Sequence, residues 1–119
     1  MNRSLMFVPS HSENLINSAL KSKADTLIFD FEDSVPLGDL KQKARQLYNN
    51  FYRVAKTKFT IWVRVNDIKS DQLNNDLEAL LEFPPDVILY PKVETRDDFE
   101  DRMALQYSVG LTSKGAALI

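Results

Sequence analysis

Cysteine is absent from this 119-residue sequence, and histidine occurs once, at His11. Without cysteine there can be no disulfide framework and no thiolate metal site, and a single histidine excludes a three-histidine zinc site and a local histidine triad. Glycine is also scarce, with Gly38, Gly110 and Gly115 as the only three. Because no predicted strand is followed by G-x-G-x-x-G or by a P-loop, the usual glycine-rich nucleotide sites are excluded.

Long apolar runs and an excess of one charge are missing as well. No stretch approaches the roughly 20 apolar residues that a membrane-spanning helix needs. The formal net charge of -2 provides no broad basic surface for nucleic acid. The N-terminus runs straight into a strand-like segment, without the apolar region and cleavage site of a signal peptide. These absences, together with 44% hydrophobic and 27% charged residues, predict one globular cytoplasmic domain with no nucleic-acid or membrane partner.

The apolar residues that are present follow two alternating periods. Strand-like segments near residues 5–9, 25–35, 59–66 and 87–90 are each followed by a segment with helical spacing. Ser12 and Thr95 stand at N-cap positions. Four strand–helix pairs in succession predict a parallel sheet with right-handed crossovers. Two architectures fit this order: an open, doubly wound sheet, and part of a TIM barrel, whose complete form has eight such units.

Polar residues gather where the predicted strands end. In a barrel the apolar parity of each strand packs on helices, so the polar parity points inward. This rule predicts a converging inward set of Asp30, Glu32, Arg64, Asn66, Lys92 and Glu94. Arg64 is the strongest candidate for a ligand role, because an inward guanidinium costs several kcal/mol to desolvate unless an acid or an anionic ligand pairs with it.

Structural explanations stand beside this functional one. Asp30 and Lys92 fit a structural ion-pair network at the strand ends, Asp33 and Ser34 fit a turn cap, and His11 fits a surface loop. An unrelated open-sheet regulatory domain would use Asp30 as a phosphoacceptor. In that alternative the Val-Arg-Val-Asn and Pro-Lys-Val-Glu motifs have no role.

Several short motifs, in order and spacing, resemble the HpcH/HpaI aldolase and citrate lyase β-subunit family. They are Arg-Ser-Leu-Met-Phe-Val-Pro at 3–9, Ala-Asp at 24–25, Asp-Phe-Glu-Asp-Ser-Val-Pro at 30–36, Lys-Ala-Arg at 43–45, Val-Arg-Val-Asn at 63–66, Asp-Leu at 76–77 and Pro-Lys-Val-Glu at 91–94. The resemblance runs from about residue 3 to about residue 100. It implies the N-terminal half of a TIM barrel, with four parallel βα units.

The same resemblance implies a magnesium-dependent carbon–carbon lyase. The reaction would be a retro-aldol or Claisen-type cleavage of a hydroxy or oxo acid, or of its coenzyme A or acyl-carrier thioester. Arg64 falls on the family's substrate-binding arginine, and Glu32 and Asp33 fall on an acidic pair expected near the metal through water. Asp30, Asn66, Lys92 and Glu94 are expected as supporting residues.

The sequence also departs from the family pattern. The direct magnesium ligands of the family lie after the fourth strand, so no direct metal ligand and no catalytic residue is assigned in this chain. Residues 1–105 are predicted to form a partial barrel domain. Residues 106–119 are predicted to form a divergent tail that is strand-like, disordered, or the product of a shifted reading frame. The loop at residues 10–14 lacks the basic residues often used for coenzyme A.

Two functional hypotheses follow from these departures. The first is a truncated or split lyase, inactive alone and complemented by a second polypeptide. The second is a non-catalytic remnant or anion-binding module that self-associates through its open sheet edges.

Overall fold

A five-stranded parallel β-sheet with four helices forms the structure, a computed structural model that describes residues 4–117. The elements alternate along the chain in the order β1 (Leu5–Pro9), α1 (Glu13–Leu20), β2 (Thr26–Asp30), α2 (Asp39–Lys56), β3 (Thr60–Arg64), α3 (Leu73–Ala79), β4 (Val87–Tyr90), α4 (Arg96–Ser108) and β5 (Lys114–Ala117). The strands lie in the sheet in the same order as in the chain, and all are paired in parallel. The predicted α/β fold with four successive βα units is confirmed, and a fifth strand is added to it.

Local sequence signals decide where three of the helices begin. The Ser12 hydroxyl accepts a hydrogen bond from the backbone N–H of Leu15 at the start of α1. Thr95 and Asp98 form a capping box at the start of α4. Gly38 precedes α2 with a φ of 97°, a left-handed conformation that glycine adopts without steric penalty.

All four helices lie on one face of the sheet, because right-handed crossovers between strands in sequential order turn to the same side. Aromatic rings mark this interface. The rings of Phe29 and Tyr48 meet edge-to-face with centroids 5.2 Å apart, and those of Tyr90 and Phe99 meet at 6.4 Å. The main hydrophobic core therefore lies between the helices and this face of the sheet.

The other face of the sheet, which we call the open face, has no helix against it among residues 4–117. One row across it consists of Phe7, Ile28, Trp62 and Val87. Leu5 and Phe7 remain 51% and 45% exposed. Parallel sheets are normally covered on both faces, whereas on this face the β1 end is exposed and Ile28 is buried.

Residues 106–117 are integrated into the fold. The predicted boundary between residues 105 and 106 lies inside α4, and β5 pairs with β4 from Val87–Lys114 to Tyr90–Ala117. The buried Gln106 amide joins these elements, because it accepts from the Tyr90 hydroxyl at 2.6 Å and donates to the Ser113 carbonyl at 2.7 Å. The described part of this segment thus contains the end of α4 and the strand β5; residues 118 and 119 lie outside the described residues.

Gly115→Val is expected to lower the free energy of unfolding by about 1–3 kcal/mol through overpacking. A Cβ atom at Gly115 would overlap the Met103 sulfur and lie 3.2 Å from Cζ of Phe99, both on α4. Urea denaturation measures the change. Ala116→Val is the control, since alternation along β5 directs residue 116 to the open face. Equal losses in both variants would contradict the packing of β5 on α4.

Candidate functional site

Asp30 and Arg64 form a two-pronged ion pair at the carboxyl ends of β2 and β3. The strand register places them directly opposite each other. Arg64 Nε donates to Asp30 Oδ1 at 2.9 Å, and Arg64 Nη2 donates to Asp30 Oδ2 at 2.8 Å. Such parallel charge-assisted bonds fix a guanidinium in orientation as well as in position. The structure thus brings together two of the residues that the sequence predicts to converge.

The Asp30 carboxylate also organises the turn that follows β2. Its oxygens accept from the backbone N–H groups of Glu32 at 2.9 Å and Ser34 at 3.0 Å, and from the Ser34 hydroxyl at 2.6 Å. Burial alone would raise the pKa of Asp30, but the bonds from Arg64, Ser34 and the two backbone groups outweigh it and lower the pKa to about 2. Both oxygens are engaged, so Asp30 supports Arg64 and the turn and is not a free nucleophile.

The stability of the fold is expected to fall between about pH 4 and pH 2 as Asp30 becomes protonated. Its folded-state pKa of about 2 lies below its ordinary value of 3.8, so its contribution is present above pH 4 and is lost as the pH drops through 2. The contribution is about 2 kcal/mol. Denaturation at a series of pH values should show that the difference in free energy of unfolding between the wild type and Asp30→Asn falls by that amount.

The exposed acid Asp71 supplies the control for this pH dependence. Asp71→Asn leaves the Asp30–Arg64 pair intact, because the Asp71 side chain contacts Gln72 and lies outside that pair, so this variant is expected to lose stability at low pH as the wild type does. An Asp30→Asn profile parallel to that of the wild type would contradict the assignment.

Arg64 keeps hydrogen-bonding capacity beyond its pair with Asp30. None of the hydrogen bonds within residues 4–117 uses its Nη1, and the side chain is 15% exposed. The Phe7 ring lies 4.8 Å from the guanidinium carbon, and the nearest Glu32 carboxylate oxygen lies 3.7 Å from Nε. The hydrogen bond to Asp30 raises the pKa of Arg64, so it remains cationic. The Nη1 side of the guanidinium, which we call its free edge, thus carries positive charge and has no hydrogen-bond partner among residues 4–117.

Glu32 and Asp33 form an acidic pair beside Arg64. Glu32 is partly buried, and Asp33 is exposed. Burial raises the pKa of Glu32, followed by its hydrogen bond with Asp33 and the charge of that residue, while the Arg64 charge opposes the shift. A carboxylate whose pKa is raised by burial and by a neighbouring carboxylate, as for Glu32, is stabilised in its charged form by an added cation.

Asn66 does not join Arg64, contrary to the parity rule. β3 ends at Arg64, and the alternation of faces no longer applies beyond the end of the strand. Asn66 is buried, and both its backbone N–H and its Nδ2 donate to Asp76 Oδ2 at 2.7 Å. Its Oδ1 accepts from Lys41 Nζ at 2.8 Å. Asn66 thus lies among residues of α2 and α3.

Lys92 and Glu94 also lie apart from the Asp30–Arg64 pair. β4 ends at Tyr90, and Lys92 adopts a positive φ of 56°, which redirects the chain. Both side chains are exposed and line a separate cavity of about 660 Å³ with Asp67 and Arg102. The described contacts therefore do not join Lys92 and Glu94 to Arg64, and strand parity does not reach them for the same reason as for Asn66.

Three residues near the site are not among those that strand parity predicts. Phe7 stacks on Arg64, and the two cations Lys41 and Arg45 are 4% and 6% exposed on α2. A signal for the cations exists: positions 41 and 45 fall on the same helical stripe as the buried Ala44 and Tyr48. A charged residue on an apolar stripe indicates a specific buried partner.

The described residues do not form a complete magnesium site. Among residues 4–117, no cluster of three or more histidine, cysteine, aspartate or glutamate side chains is placed to hold a metal ion. Asp30 is committed to Arg64, which leaves Glu32 and Asp33 as the available carboxylates. Mg²⁺ binds through one or two carboxylates together with water, so this pair fits a contact through water but does not supply a full ligand set.

Comparison with known proteins identifies the family. The sequence model of the HpcH/HpaI aldolase/citrate lyase family matches residues 3–109. The chain belongs to this family. Its relatives include citrate lyase subunit beta of Escherichia coli K12, which is 34% identical over 99 residues, covering 83% of this chain and 33% of the relative. A (3S)-malyl-CoA thioesterase of Cereibacter sphaeroides strain KD131 is 38% identical over 105 residues, or 87% of this chain and 36% of the relative.

Solved structures of this HpcH/HpaI and citrate lyase family share the fold. The M. tuberculosis citrate lyase beta subunit complexed with oxaloacetate and magnesium has a TM-score of 0.69 at 22% identity, and the match covers 97% of this chain and 46% of that one. The M. tuberculosis protein CitE, in complex with magnesium, acetoacetate and coenzyme A, has a TM-score of 0.72 at 22% identity. That match covers 99% of this chain and 39% of the CitE chain. The chain spans about a third of the length of the curated relatives that it matches.

Proposed function

We propose that this family member supplies the carboxylate-binding part of a carbon–carbon lyase of the citrate lyase β or aldolase type. The observation that carries the proposal is the free edge of Arg64, a guanidinium already fixed by Asp30 at the carboxyl ends of the strands. Active sites of barrel enzymes lie at that end of the sheet. An arginine held in this way binds a carboxylate through paired, charge-assisted bonds.

The proposed reaction is a retro-aldol or Claisen-type cleavage of a hydroxy acid or its thioester. The bond between the carbinol carbon and its neighbour breaks, the hydroxyl proton leaves to a base, and the carbinol carbon becomes a carbonyl. The electron pair passes to the other fragment as an enolate, which is then protonated. Arg64 holds a substrate carboxylate and so fixes the orientation of the breaking bond, and Asp30 and Phe7 fix the orientation of Arg64.

Magnesium is the proposed cofactor, in keeping with the magnesium complexes of the related structures. When bound, Mg²⁺ supplies positive charge that stabilises the enolate oxygen. Glu32 and Asp33 are the residues of this chain that would lie near it, through water. The direct ligands are expected outside the 119 residues.

Catalysis is proposed to require further βα units that cover the open face and supply those ligands, from the same or a second polypeptide. The exposed apolar residues Leu5 and Phe7 on the open face and the share of the relatives that the chain covers support this requirement. No helix among the residues described is long and apolar enough to cross a membrane. A cytoplasmic location stays a prediction from the sequence.

A second candidate function is an anion-binding module that self-associates. Exposed Leu5 and Phe7 on β1, a strand at the edge of the described sheet, favour it. Light scattering of the purified chain separates the cases: a stable dimer that binds oxo acids supports the module, and a well-folded monomer counts against it.

The lyase proposal is tested in two stages. The purified chain with Mg²⁺ is expected to bind pyruvate or oxaloacetate weakly, with shifts of the Arg64 and Glu32 signals in NMR spectra, and to cleave no substrate. Residues 3–109 then replace the matching segment of the E. coli citrate lyase beta subunit, reconstituted with the other subunits of that enzyme. Citrate cleavage by the chimera that is lost on Arg64→Met supports the role of this residue. Cleavage by the chain alone would refute the need for further units.

A further inference from the structure

Lys41 is a buried cation whose bonding capacity is fully used. Its ammonium donates to the carbonyl oxygens of Phe31 and Glu32, both at 2.9 Å, and to the side-chain oxygen of Asn66 at 2.8 Å. Burial lowers the pKa of Lys41, while the charges of Asp76, Glu32 and Asp30 oppose that shift. A lysine ammonium has three donors, so all of them are satisfied.

The three oxygens around Lys41 come from the two segments that carry the candidate site. Phe31 and Glu32 begin the turn at residues 31–34, which we call the acidic turn. Asn66 lies two residues after Arg64 along the chain. On the opposite side, the Asp30 carboxylate holds the backbone N–H groups of Glu32 and Ser34. The acidic turn is therefore held by its N–H groups through Asp30 and by its carbonyls through Lys41.

We propose that Lys41 is a positioning residue that holds the acidic turn against the segment following Arg64, and so keeps the Glu32 carboxylate near Arg64, 3.7 Å from its Nε. Its consequence for anion binding rests on the proposed function; its effect on the turn does not. The position requires a compact group with three diverging donors. An apolar side chain of the same length takes this donor from the buried Phe31 carbonyl and the Asn66 side-chain oxygen, and leaves the Glu32 carbonyl with only its bond from the Val35 N–H. The planar fork of an arginine presents its donors in a different geometry.

Arg45 provides a matched control in the same helix. It lies one turn after Lys41, is similarly buried, and its Nη1 donates to Asp76 Oδ1 at 2.8 Å. Its other side-chain partners are Gln42 and Gln72. Loss of either cation weakens the fold, but only Lys41 contacts the acidic turn.

The test compares the full chain with the Lys41→Met and Arg45→Met variants by amide hydrogen exchange. The reporters are the amides of Glu32, Ser34 and Val35, each read as a ratio to the amide of Phe29 in β2, so that global destabilisation cancels. Lys41→Met is expected to raise these ratios at least tenfold, and Arg45→Met is expected to leave them within about twofold. Lys41→Gln, which keeps an amide donor, serves the same comparison if the methionine variant does not fold.

Pyruvate affinity at Arg64, measured by NMR titration, is the second readout. It is expected to fall at least fivefold in the Lys41 variant and less than twofold in Arg45→Met. Unchanged exchange ratios in the Lys41 variant, or equal increases in both variants, would overturn the positioning role. A wild-type chain that binds no pyruvate would refute the proposed function alone, because the exchange ratios still decide whether Lys41 holds the turn.

Discussion

Replacement of Asp76 by alanine is expected to lower the free energy of unfolding by about 3–5 kcal/mol. Its carboxylate is fully buried between α2 and α3, where Oδ1 pairs with Arg45 and Oδ2 accepts two hydrogen bonds from Asn66. The alanine variant leaves the Arg45 cation buried without its counter-ion and the Asn66 N–H groups without an acceptor. Because small domains are stable by only about 5–15 kcal/mol, this is a large fraction of the total. Urea denaturation followed by circular dichroism gives the value.

Two variants calibrate the Asp76 result. Asp76→Asn keeps the shape and one acceptor oxygen, so its loss is expected to be smaller than that of the alanine variant. Glu78→Ala removes an exposed acid from the same helix and is expected to change stability by less than about 0.5 kcal/mol. If Asp76→Ala and Glu78→Ala were equally stable, the buried network of Asp76 with Arg45 and Asn66 would make no measurable contribution to the free energy of unfolding.

Arg64→Met is expected to weaken the binding of pyruvate or oxaloacetate by about tenfold to a hundredfold. A hydrogen bond to a charged group contributes about 1.5–3 kcal/mol, which corresponds to that range. Methionine keeps an unbranched apolar side chain but removes the guanidinium that lies over the Phe7 ring, and with it the free Nη1 edge. Isothermal titration at matched ionic strength measures the affinity.

The controls for Arg64 separate charge from geometry and from folding. Arg64→Lys keeps one positive charge but cannot pair with Asp30 and a ligand in the same planar manner, so an intermediate affinity is expected. Arg53→Met removes an exposed arginine that stacks on Phe83 at 5.5 Å, and its affinity is expected to match the wild type. Equal losses from Arg53→Met and Arg64→Met would mean that net charge, and not this site, governs binding.

The strand–helix order could be predicted from the sequence because its signals are local. The apolar run at residues 27–29, the alternation along β3 and the caps at Ser12 and Thr95 each specify structure within a few residues. Segment 106–117 is different. Its strand has only Lys-Gly-Ala-Ala, without the β-branched or aromatic residues that mark a strand, and it is held by Gln106 and by pairing with β4.

Strand periodicity predicts the positions of site residues only where they lie inside a strand. Asp30 and Arg64 lie inside strands, so parity placed them together. Asn66 and Lys92 follow strand ends, where the chain direction depends on tertiary contacts and, at Lys92, on a positive φ. The Phe7 contact with Arg64 depends on the register between strands, which a single sequence does not specify.

The strands lie in the sheet in the same order as in the chain, and this order affects how the protein can fold during its synthesis. Each strand pairs with the strand that precedes it, so β2 can dock on β1 while the rest of the chain is still being synthesised. No strand has to wait for a distant later segment to fill a gap in the middle of the sheet, and every crossover spans one helix. The described sheet is thus suited to assembly on the ribosome in the order of translation, with each new βα unit completed on the edge left by the one before it.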